Sequence, residues 1–281
     1  MRISSQQIFD SGLNSLQQHT SDVVDAQRQI SSGQKYHRAS DSALAAGLGV
    51  QITFDQAQYD MYRVNQDHLN QVYASADTQL KSVYDATLAF QRMMTQAASD
   101  TQTTDSRQSV LKAQAQKLRD TISSFLNSQD ANGQPIFKSG ASAGVTVAAN
   151  NLSLDNGITL SEVTTFVANQ GGNTTLLNAM DQVIVHLGQG LGPTIPDFAD
   201  IDSGINQVIR SQVKVGLLQN QLDAATQFAE SQKLNVETAR SNLLDTDLPQ
   251  ATSQLAKSNA LLQAAQAIIT KLDTNTLFQK L

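Results

Sequence analysis

Apolar residues recur every seven positions at both ends of this 281-residue chain. The N-terminal stripe consists of Phe9, Leu16, Val23 and Ile30, and the C-terminal stripe consists of Leu248, Leu255, Leu262 and Ile269. A seven-residue repeat places its members along one face of a helix, where they pack against another helix. Chain ends usually fray unless a partner covers them. The two stripes therefore predict terminal helices that contact each other or another copy of the chain.

The same repeat continues in longer segments nearer the middle of the chain. A helix is predicted from Ala43 to Ala98, and its stripe comprises Leu69, Ala76, Val83, Phe90 and Ala97. Another long helix, beginning near Ile201, has its stripe at Val208, Val215, Leu222, Ala229, Val236 and Leu243. A shorter repeat at Leu111, Leu118 and Phe125 predicts a helix that forms a hairpin with the first one. Periodicity alone leaves two interpretations open, namely coiled-coil packing and an ordinary helical bundle core.

The composition favours thin helical packing over a thick globular core. The chain contains no Trp, and aromatic residues make up only 5% of it. Aromatic side chains supply much of the buried area in a thick core. Only four prolines occur, so long stretches are free to be helical.

The middle of the chain has a different pattern. Residues 143–168 contain short β-branched runs interrupted by Asn-Asn and Asp-Asn-Gly, which predicts two or three strands with tight turns. Residues 174–187 predict a short amphipathic helix, and residues 188–196 predict a loop. The predicted fold is therefore mainly α, a long helical rod or coiled-coil bundle with a small β-containing outer domain inserted in the middle.

The breaks between these patterns predict three domains. Residues 1–40 and 246–281 would form a terminal helical core domain from paired N- and C-terminal helices. Residues 41–137 and 175–245 would form a helical bundle domain. Residues 138–174 would form the small outer β-containing domain.

No group of residues in the sequence indicates catalysis. The four histidines are far apart, and none forms the His-x-x-x-His spacing of a zinc site. Phosphate-binding loops and nucleophile elbows are also absent from the sequence. Asp245 and Asp247 resemble a helix break more than paired catalytic carboxylates, because Pro249 follows them. We therefore predict a protein that is not an enzyme, with no catalytic residues, no metal and no cofactor.

Charge and hydropathy exclude two classes of partner. The net charge is −6 and no cluster of basic residues is present, so nucleic acid is not an expected partner. No apolar run is long enough to cross a bilayer, so we expect no membrane contact. The N-terminus lacks the apolar segment of a signal peptide, so export would need another route.

Two stretches resemble the bacterial flagellin superfamily. Residues 30–43 read ISSGQKYHRASDSA and resemble the turn that ends the N-terminal helix in flagellins and their junction-protein relatives. The matching positions are Ser31, Ser32, Gly33, Lys35 and Asp41. Gly33 suits the positive φ of a helix end, and Ser40 or Asp41 could cap the next helix. Residues 213–281 resemble the C-terminal region of the same superfamily and include the run LLQAAQA. The chain is thus identified as a member of this superfamily.

Three local features resemble the hook–filament junction family, the third hook-associated proteins. They are the start Met1–Ser4, the arrangement of Gly133, Phe137 and Gly140, and the ending Thr276–Gln279. The resemblance implies a structural subunit that joins hook to filament. It would be exported unfolded through the flagellar channel and assembled at the cell exterior through the eight residues of the two terminal stripes.

The resemblance also implies partners and leaves alternatives open. The implied partners are the hook-side junction protein, flagellin, further copies of the chain in a ring or filament, and an export chaperone on the C-terminal helix. One alternative is flagellin itself, the self-polymerising filament subunit. Another is a cytoplasmic signalling or adaptor coiled coil, which would fold stably inside the cell.

Overall fold

The computed structural model of the chain describes residues 2–99 and 105–278. The described helices are α1 Arg2–Ser32, α2 Ala43–Ser99, α3 Asp105–Leu126, α4 Leu160–Thr164, α5 Leu176–Gly188, α6 Ile195–Leu244 and α7 Leu248–Phe278. The described strands are β1 Val145–Ala149, β2 Leu152–Asp155, β3 Thr165–Val167 and β4 Asn173–Thr175. The predicted fold class, mainly α with a small β region in the middle, is confirmed.

The chain divides into two compact units. The terminal unit consists of Met1–Ala57 and Gln232–Leu281, and the central unit consists of Gln58–Ser231. The boundaries fall within α2 and α6, so each of these long helices contributes to both units. The division into three domains stays a prediction.

The core of the central unit is built on the seven-residue repeats. In α2, Leu69, Ala76, Val83 and Phe90 are fully buried, and in α6 the buried positions include Val208, Val215 and Leu222. They belong to one continuous apolar cluster. Each large apolar side chain contributes roughly 1.5–3 kcal/mol when it is fully buried. The predicted stripes are therefore the residues that hold the long helices together.

An ion pair accompanies the packing of α3 against α5 in the central unit. The guanidinium of Arg119 donates to both carboxylate oxygens of Asp181, at 2.9 and 3.1 Å. Of the predicted repeat on α3, Leu111 is buried, while Leu118 and Phe125 are partly buried and pack against the core. The two-point contact of a guanidinium with a carboxylate fixes orientation as well as distance.

The β region consists of two hairpins. β1 pairs antiparallel with β2, and β3 pairs antiparallel with β4. Residues 143–168 contain three strands, in agreement with the prediction, whereas the single-turn helix α4 and the strand β4, which follows that range, are not predicted. A strand as short as β4 shows too few residues for an alternating pattern, and Asn173–Thr175 merge in sequence with the amphipathic pattern of α5.

Side chains of α2 bind the first hairpin through its main chain. Asn65 Nδ2 donates to the carbonyl oxygen of Val147 at 2.8 Å, and Gln66 Nε2 donates to that of Ala148 at 2.6 Å. Because Gln66 is buried, its amide needs such a partner. The hairpin is thus fixed to the helix by hydrogen bonds as well as by apolar contact.

Helix α6 begins at Ile195, earlier than the expected start near Ile201, so the predicted loop 188–196 ends at Thr194. Pro196 lies in the first turn, where a missing N–H costs no intrahelical hydrogen bond. The buried Asp197 accepts hydrogen bonds from the main-chain N–H and the hydroxyl of Thr194, both at 2.7 Å. These contacts close the start of the helix and explain why proline did not delay it.

Candidate functional site

The terminal unit pairs α1 with α7 in antiparallel orientation. A Cβ atom placed on Gly12 of α1 would lie 3.5 Å from Cγ1 of Ile269 on α7. Near the opposite ends of the two helices, the main chains of Gln34 and Asp245 form an antiparallel bridge. The pairing predicted from the two terminal stripes is therefore present within one chain.

The eight stripe residues are not equally buried in this pair. Val23 is buried, whereas Leu248 is 49% exposed and the side chain of Phe9 lies outside the described part of the structure. The remaining members are half-buried, namely Leu16, Ile30, Leu255, Leu262 and Ile269. The single chain thus leaves apolar surface of both helices accessible. The assignment of these residues as an assembly interface stays a prediction.

Small residues occupy the most buried positions between the two helices. Ala26 lies on α1, and Ala251 and Ser258 lie on α7, each at most 5% exposed. Small side chains let the backbones of two helices approach closely, while the larger stripe residues lie around them. The sequence signal for this feature is the abundance of Ala and Ser in the last helix.

The turn that resembles the flagellin superfamily, residues 31–41, begins where α1 ends, and we call it the family turn. Gly33 has φ +68° and donates its N–H to the carbonyl oxygen of Gln29 at 2.9 Å, as expected for a left-handed helix end. The hydroxyl of Ser32 accepts the N–H of Gln34 at 3.1 Å. The hydroxyl of Ser31 donates back to the carbonyl oxygen of Arg28 at 3.0 Å. The motif residues therefore act by ending the helix.

Asp41 closes the turn but does not cap the next helix. Its carboxylate accepts the N–H groups of Arg38, at 2.9 Å, and His37, at 3.1 Å, and these bonds lower the pKa of Asp41. The cap of α2 is Ser42, whose hydroxyl accepts the N–H of Ala45 at 3.2 Å. The expectation that Ser40 or Asp41 would cap is therefore wrong, because Asp41 bonds backwards into its own turn.

The main chain joins this turn to the link between α6 and α7. The N–H of Lys35 donates to the carbonyl oxygen of Leu244 at 2.7 Å, and the N–H of Thr246 donates to that of Gly33 at 2.9 Å. Sequence reasoning missed this connection, since main-chain atoms carry no residue signal. The join holds the end of the first helix beside the start of the last one.

The carboxylates at the link have structural roles, in agreement with the sequence interpretation. Asp247 accepts the N–H of Gln250 at 3.0 Å and caps α7. Asp245 pairs with Arg240 at 3.4 Å. Among the residues that the structure describes, no cluster of His, Cys, Asp or Glu could hold a metal ion. In the same part of the chain, no helix is long and apolar enough to span a membrane. The arrangement offers packing surface and not reactive groups.

Family models match both ends of the chain. The model of the bacterial flagellin N-terminal helical region matches residues 3–142. The model of the bacterial flagellin C-terminal helical region matches residues 198–281. Together they cover most of the chain, including both stretches on which the resemblance was based.

Individual relatives agree along nearly the whole length. The chain is 22% identical to flagellar hook-associated protein 3 of Salmonella typhimurium over 99% of both chains. It is 23% identical to flagellin of Bacillus subtilis, covering 96% of this chain and 95% of that protein. A solved structure from Vibrio parahaemolyticus, described as a flagellar hook-associated protein, has the same fold with a TM-score of 0.63. That likeness covers 73% of this chain and 100% of the other, at 21% identity.

The prediction of the superfamily is thereby confirmed, and the cytoplasmic adaptor interpretation is set aside. Members of this family build the flagellum as structural subunits and are not enzymes. The chain belongs to the bacterial flagellin family.

Proposed function

We propose that this chain is a subunit of the junction between the flagellar hook and the filament. The likeness to a hook-associated protein 3 over 99% of both chains supports this position over others in the flagellum. The observation that carries the proposal is the α1–α7 pair, whose apolar stripes are only partly covered within one chain.

The work of such a subunit is mechanical. In the assembly, neighbouring subunits would complete the burial of Leu16, Leu255 and Leu262, which are half-buried in one chain. Complete burial of one such side chain is worth roughly 1.5–3 kcal/mol relative to full exposure. Half-buried stripe residues along both helices would together provide a large stabilisation that exists only in the assembled state.

The partners follow from this position. They are the hook-side junction protein on one side, flagellin on the other, and further copies of the chain in a ring. The protein would be exported unfolded and would assemble at the cell exterior. An export chaperone would cover α7 before assembly, since the stripe of that helix begins with the exposed Leu248 and needs a temporary partner.

Electron microscopy of cells that lack this protein tests the proposal. Hooks without filaments, together with flagellin released into the medium, are the expected result. Normal flagella would contradict a junction role. Missing filaments on hooks that still have their junction proteins would identify the chain as the filament subunit.

A second candidate function is that of flagellin. The likeness to the flagellin of Bacillus subtilis over 96% of this chain favours it. The copy number separates the two functions, because a junction ring needs few copies while a filament needs thousands. Quantitative immunoblotting of purified flagella against a known amount of the chain measures this number.

A further inference from the structure

The first turns of α2 carry a second exposed apolar surface in the terminal unit. We call it the α2 apolar face, and it consists of Leu44, Leu48, Val50 and Phe54. Leu44 and Val50 are each 73% exposed, and Phe54 is 64% exposed. All four lie within about three turns of one helix. None of them belongs to the two terminal stripes.

Three of the four residues of the α2 apolar face point away from the packing of their own chain. On the other side of the helix, Ala45 is buried. A Cβ atom on Gly49 would lie 3.5 Å from Cδ1 of Leu244 on α6. At about 100° per residue, Leu44, Val50 and Phe54 fall on the side of the helix away from these contacts, whereas Leu48, three residues after Ala45, lies at the edge of the buried side. Leu44, Val50 and Phe54 each keep more than 60% of their surface exposed, and Leu48 keeps 45%.

Almost no charge interrupts this surface. Between Asp41 and Asp60 the only charged residue is Asp55. A helix that faces solvent normally carries charged and polar residues on its outer side. Exposed apolar surface of this kind marks a site of protein interaction. The missing charge also means that the partner surface should be uncharged.

The chain itself offers such a surface on α7. Leu261 and Ile268 are exposed there, and Lys257 is the only charged residue from Leu248 to Thr270. The terminal unit therefore carries two different exposed apolar surfaces, and both are nearly free of charged residues. A contact between unlike surfaces of two copies repeats from copy to copy and builds rings or helical arrays.

We infer that the α2 apolar face packs against the exposed side of α7 in a neighbouring copy of this chain. The contact depends on the proposed function, because a ring is what would bring copies side by side. It is separate from the α1–α7 pairing within each copy, which uses the terminal stripes. It deepens the proposed function by naming which surfaces of two subunits meet.

Disulfide trapping between copies tests this contact, and the chain contains no Cys of its own. Cells that lack the native chain would produce two variants together, Phe54→Cys and Leu261→Cys. A bond within one chain is then impossible, because each chain has a single Cys. After oxidation of isolated flagella, we expect a product of twice the 30.3 kDa chain mass that contains both variants.

The matched control replaces Phe54→Cys with Val185→Cys on α5, which is also exposed. No dimer with Leu261→Cys is expected from it. A dimer of equal yield in the control would overturn the inference, because trapping would then not depend on the α2 apolar face. Absence of the Phe54–Leu261 dimer in flagella that contain both variants would also overturn it.

Two further readouts separate this inference from the proposed function. If cells lacking the chain have normal flagella, the junction role fails and the contact fails with it. If those cells lose filaments and both Cys variants restore them without forming the dimer, the junction role stands and only the contact fails.

Phe54→Asp should reproduce the loss of filaments, whereas Val185→Asp should not. Normal filaments with Phe54→Asp would contradict the inference.

Discussion

The ammonium group of Lys214 on α6 lies 2.7 Å from the carboxylate of Glu162 on α4. The same carboxylate accepts the N–H of Thr159 at 2.8 Å and completes a capping box at the start of α4. The main-chain oxygen of Glu162 accepts hydrogen bonds from Gln207 and Ser211 of α6. One residue thus ties the β region to a long helix through both its side chain and its backbone.

The Lys214–Glu162 pair predicts a loss of stability at both extremes of pH. Burial raises the pKa of Glu162, but the hydrogen bonds from Lys214 and Thr159 outweigh it and hold this pKa below its ordinary 4.5. Burial likewise lowers the pKa of Lys214, but Glu162 and Asp155 hold it above its ordinary 10.5. The contribution of Glu162 is present above pH 4.5 and is lost as the pH falls through its lowered pKa. That of Lys214 is present below pH 10.5 and is lost as the pH rises through its raised pKa.

Glu162→Gln should therefore lower the free energy of unfolding at neutral pH and weaken its fall in acid. The loss from the ion pair is about 1 kcal/mol at most, because both side chains are more than a third exposed and solvent screens them. Urea unfolding at a series of pH values measures it. Asp223→Asn, on the exposed side of α6, is the control and should lower the free energy of unfolding at neutral pH less than Glu162→Gln does. An unchanged profile for Glu162→Gln would contradict the role of the pair.

Tyr73 should contribute to stability through its hydroxyl group. The side chain is fully buried and donates to the main-chain oxygen of Asp155 in β2. Tyr73→Phe leaves that acceptor without its partner, so we expect a loss of about 1–2 kcal/mol in the free energy of unfolding. Tyr84→Phe, at a partly buried position of the same helix, serves as the control. Equal effects of the two substitutions would contradict the assigned hydrogen bond.

The same residue predicts a separate alkaline effect. Burial, with a smaller contribution from the charge of Asp155, raises the pKa of Tyr73 to about 12. Above pH 10 the unfolded chain loses this proton first, so the folded state loses stability until the pH reaches about 12. Ultraviolet titration of the native protein should show a tyrosine that ionises late. This late ionisation should be absent from Tyr73→Phe. A native titration without a late tyrosine would refute this.

Two glycines of α6 should respond in opposite directions to the same substitution. A Cβ atom on Gly204 would lie 2.7 Å from Cδ1 of Leu176 and 3.2 Å from Cε1 of Phe166, both of which are buried. Gly204→Ala should therefore destabilise the central unit by about 1–3 kcal/mol. Gly216 has nothing within 4 Å, so Gly216→Ala should stabilise the helix by about 0.5–1 kcal/mol. Thermal unfolding distinguishes the two variants. A shift of the melting temperature in the same direction for both would contradict the prediction.

Gly33→Ala should loosen the family turn through the backbone alone. Gly33 has φ +68°, and nothing lies within 4 Å of an added Cβ, so the expected cost is about 1 kcal/mol of backbone strain. The hydrogen bond from Thr246 to Gly33 should weaken with it. Hydrogen exchange of the Thr246 amide measures this effect. Gly47→Ala is the control, since Gly47 is helical and equally open, and its exchange should match the native protein.

Leu262→Asp should abolish assembly and leave the central unit folded. The half-buried Leu262 lies on α7 in the terminal unit, so a charge there opposes burial by neighbouring subunits. Electron microscopy of cells that produce the variant should show hooks without filaments. Circular dichroism and urea unfolding should retain the transition of the central unit. Val185→Asp is the matched control, and normal filaments with Leu262→Asp would contradict the assembly role of the stripe.

The sequence predicted most of the fold because helix packing repeats locally. Every seventh residue from Leu69 to Phe90 was expected in the core, and each of these is fully buried. The predicted start of α6 is too late, because local spacing around Pro196 indicates a loop and does not show the capping contact between Thr194 and Asp197. Local spacing therefore located the stripes better than it located the helix ends.

Contacts between distant residues could not be predicted in this way. Lys214 and Glu162 are unremarkable in sequence and meet only because α4 lies beside α6. The join of Lys35 to Leu244 uses main-chain atoms, which any residue type would supply. The family resemblance predicts the position of the turn at Gly33. Only the three-dimensional structure shows that Thr246 is its hydrogen-bond partner.

The pairing of α1 with α7 also has a consequence for the order of folding. The first helix and the last helix are separated by nearly the whole polypeptide, so their contacts have the largest loop-closure cost in the chain. The α3–α5 contact and the two hairpins join segments that are much closer in sequence. During synthesis, α1 cannot form this pair until α7 has been added. We therefore expect the terminal unit to form last, and its first helix to be exposed to premature association for longer than any other element.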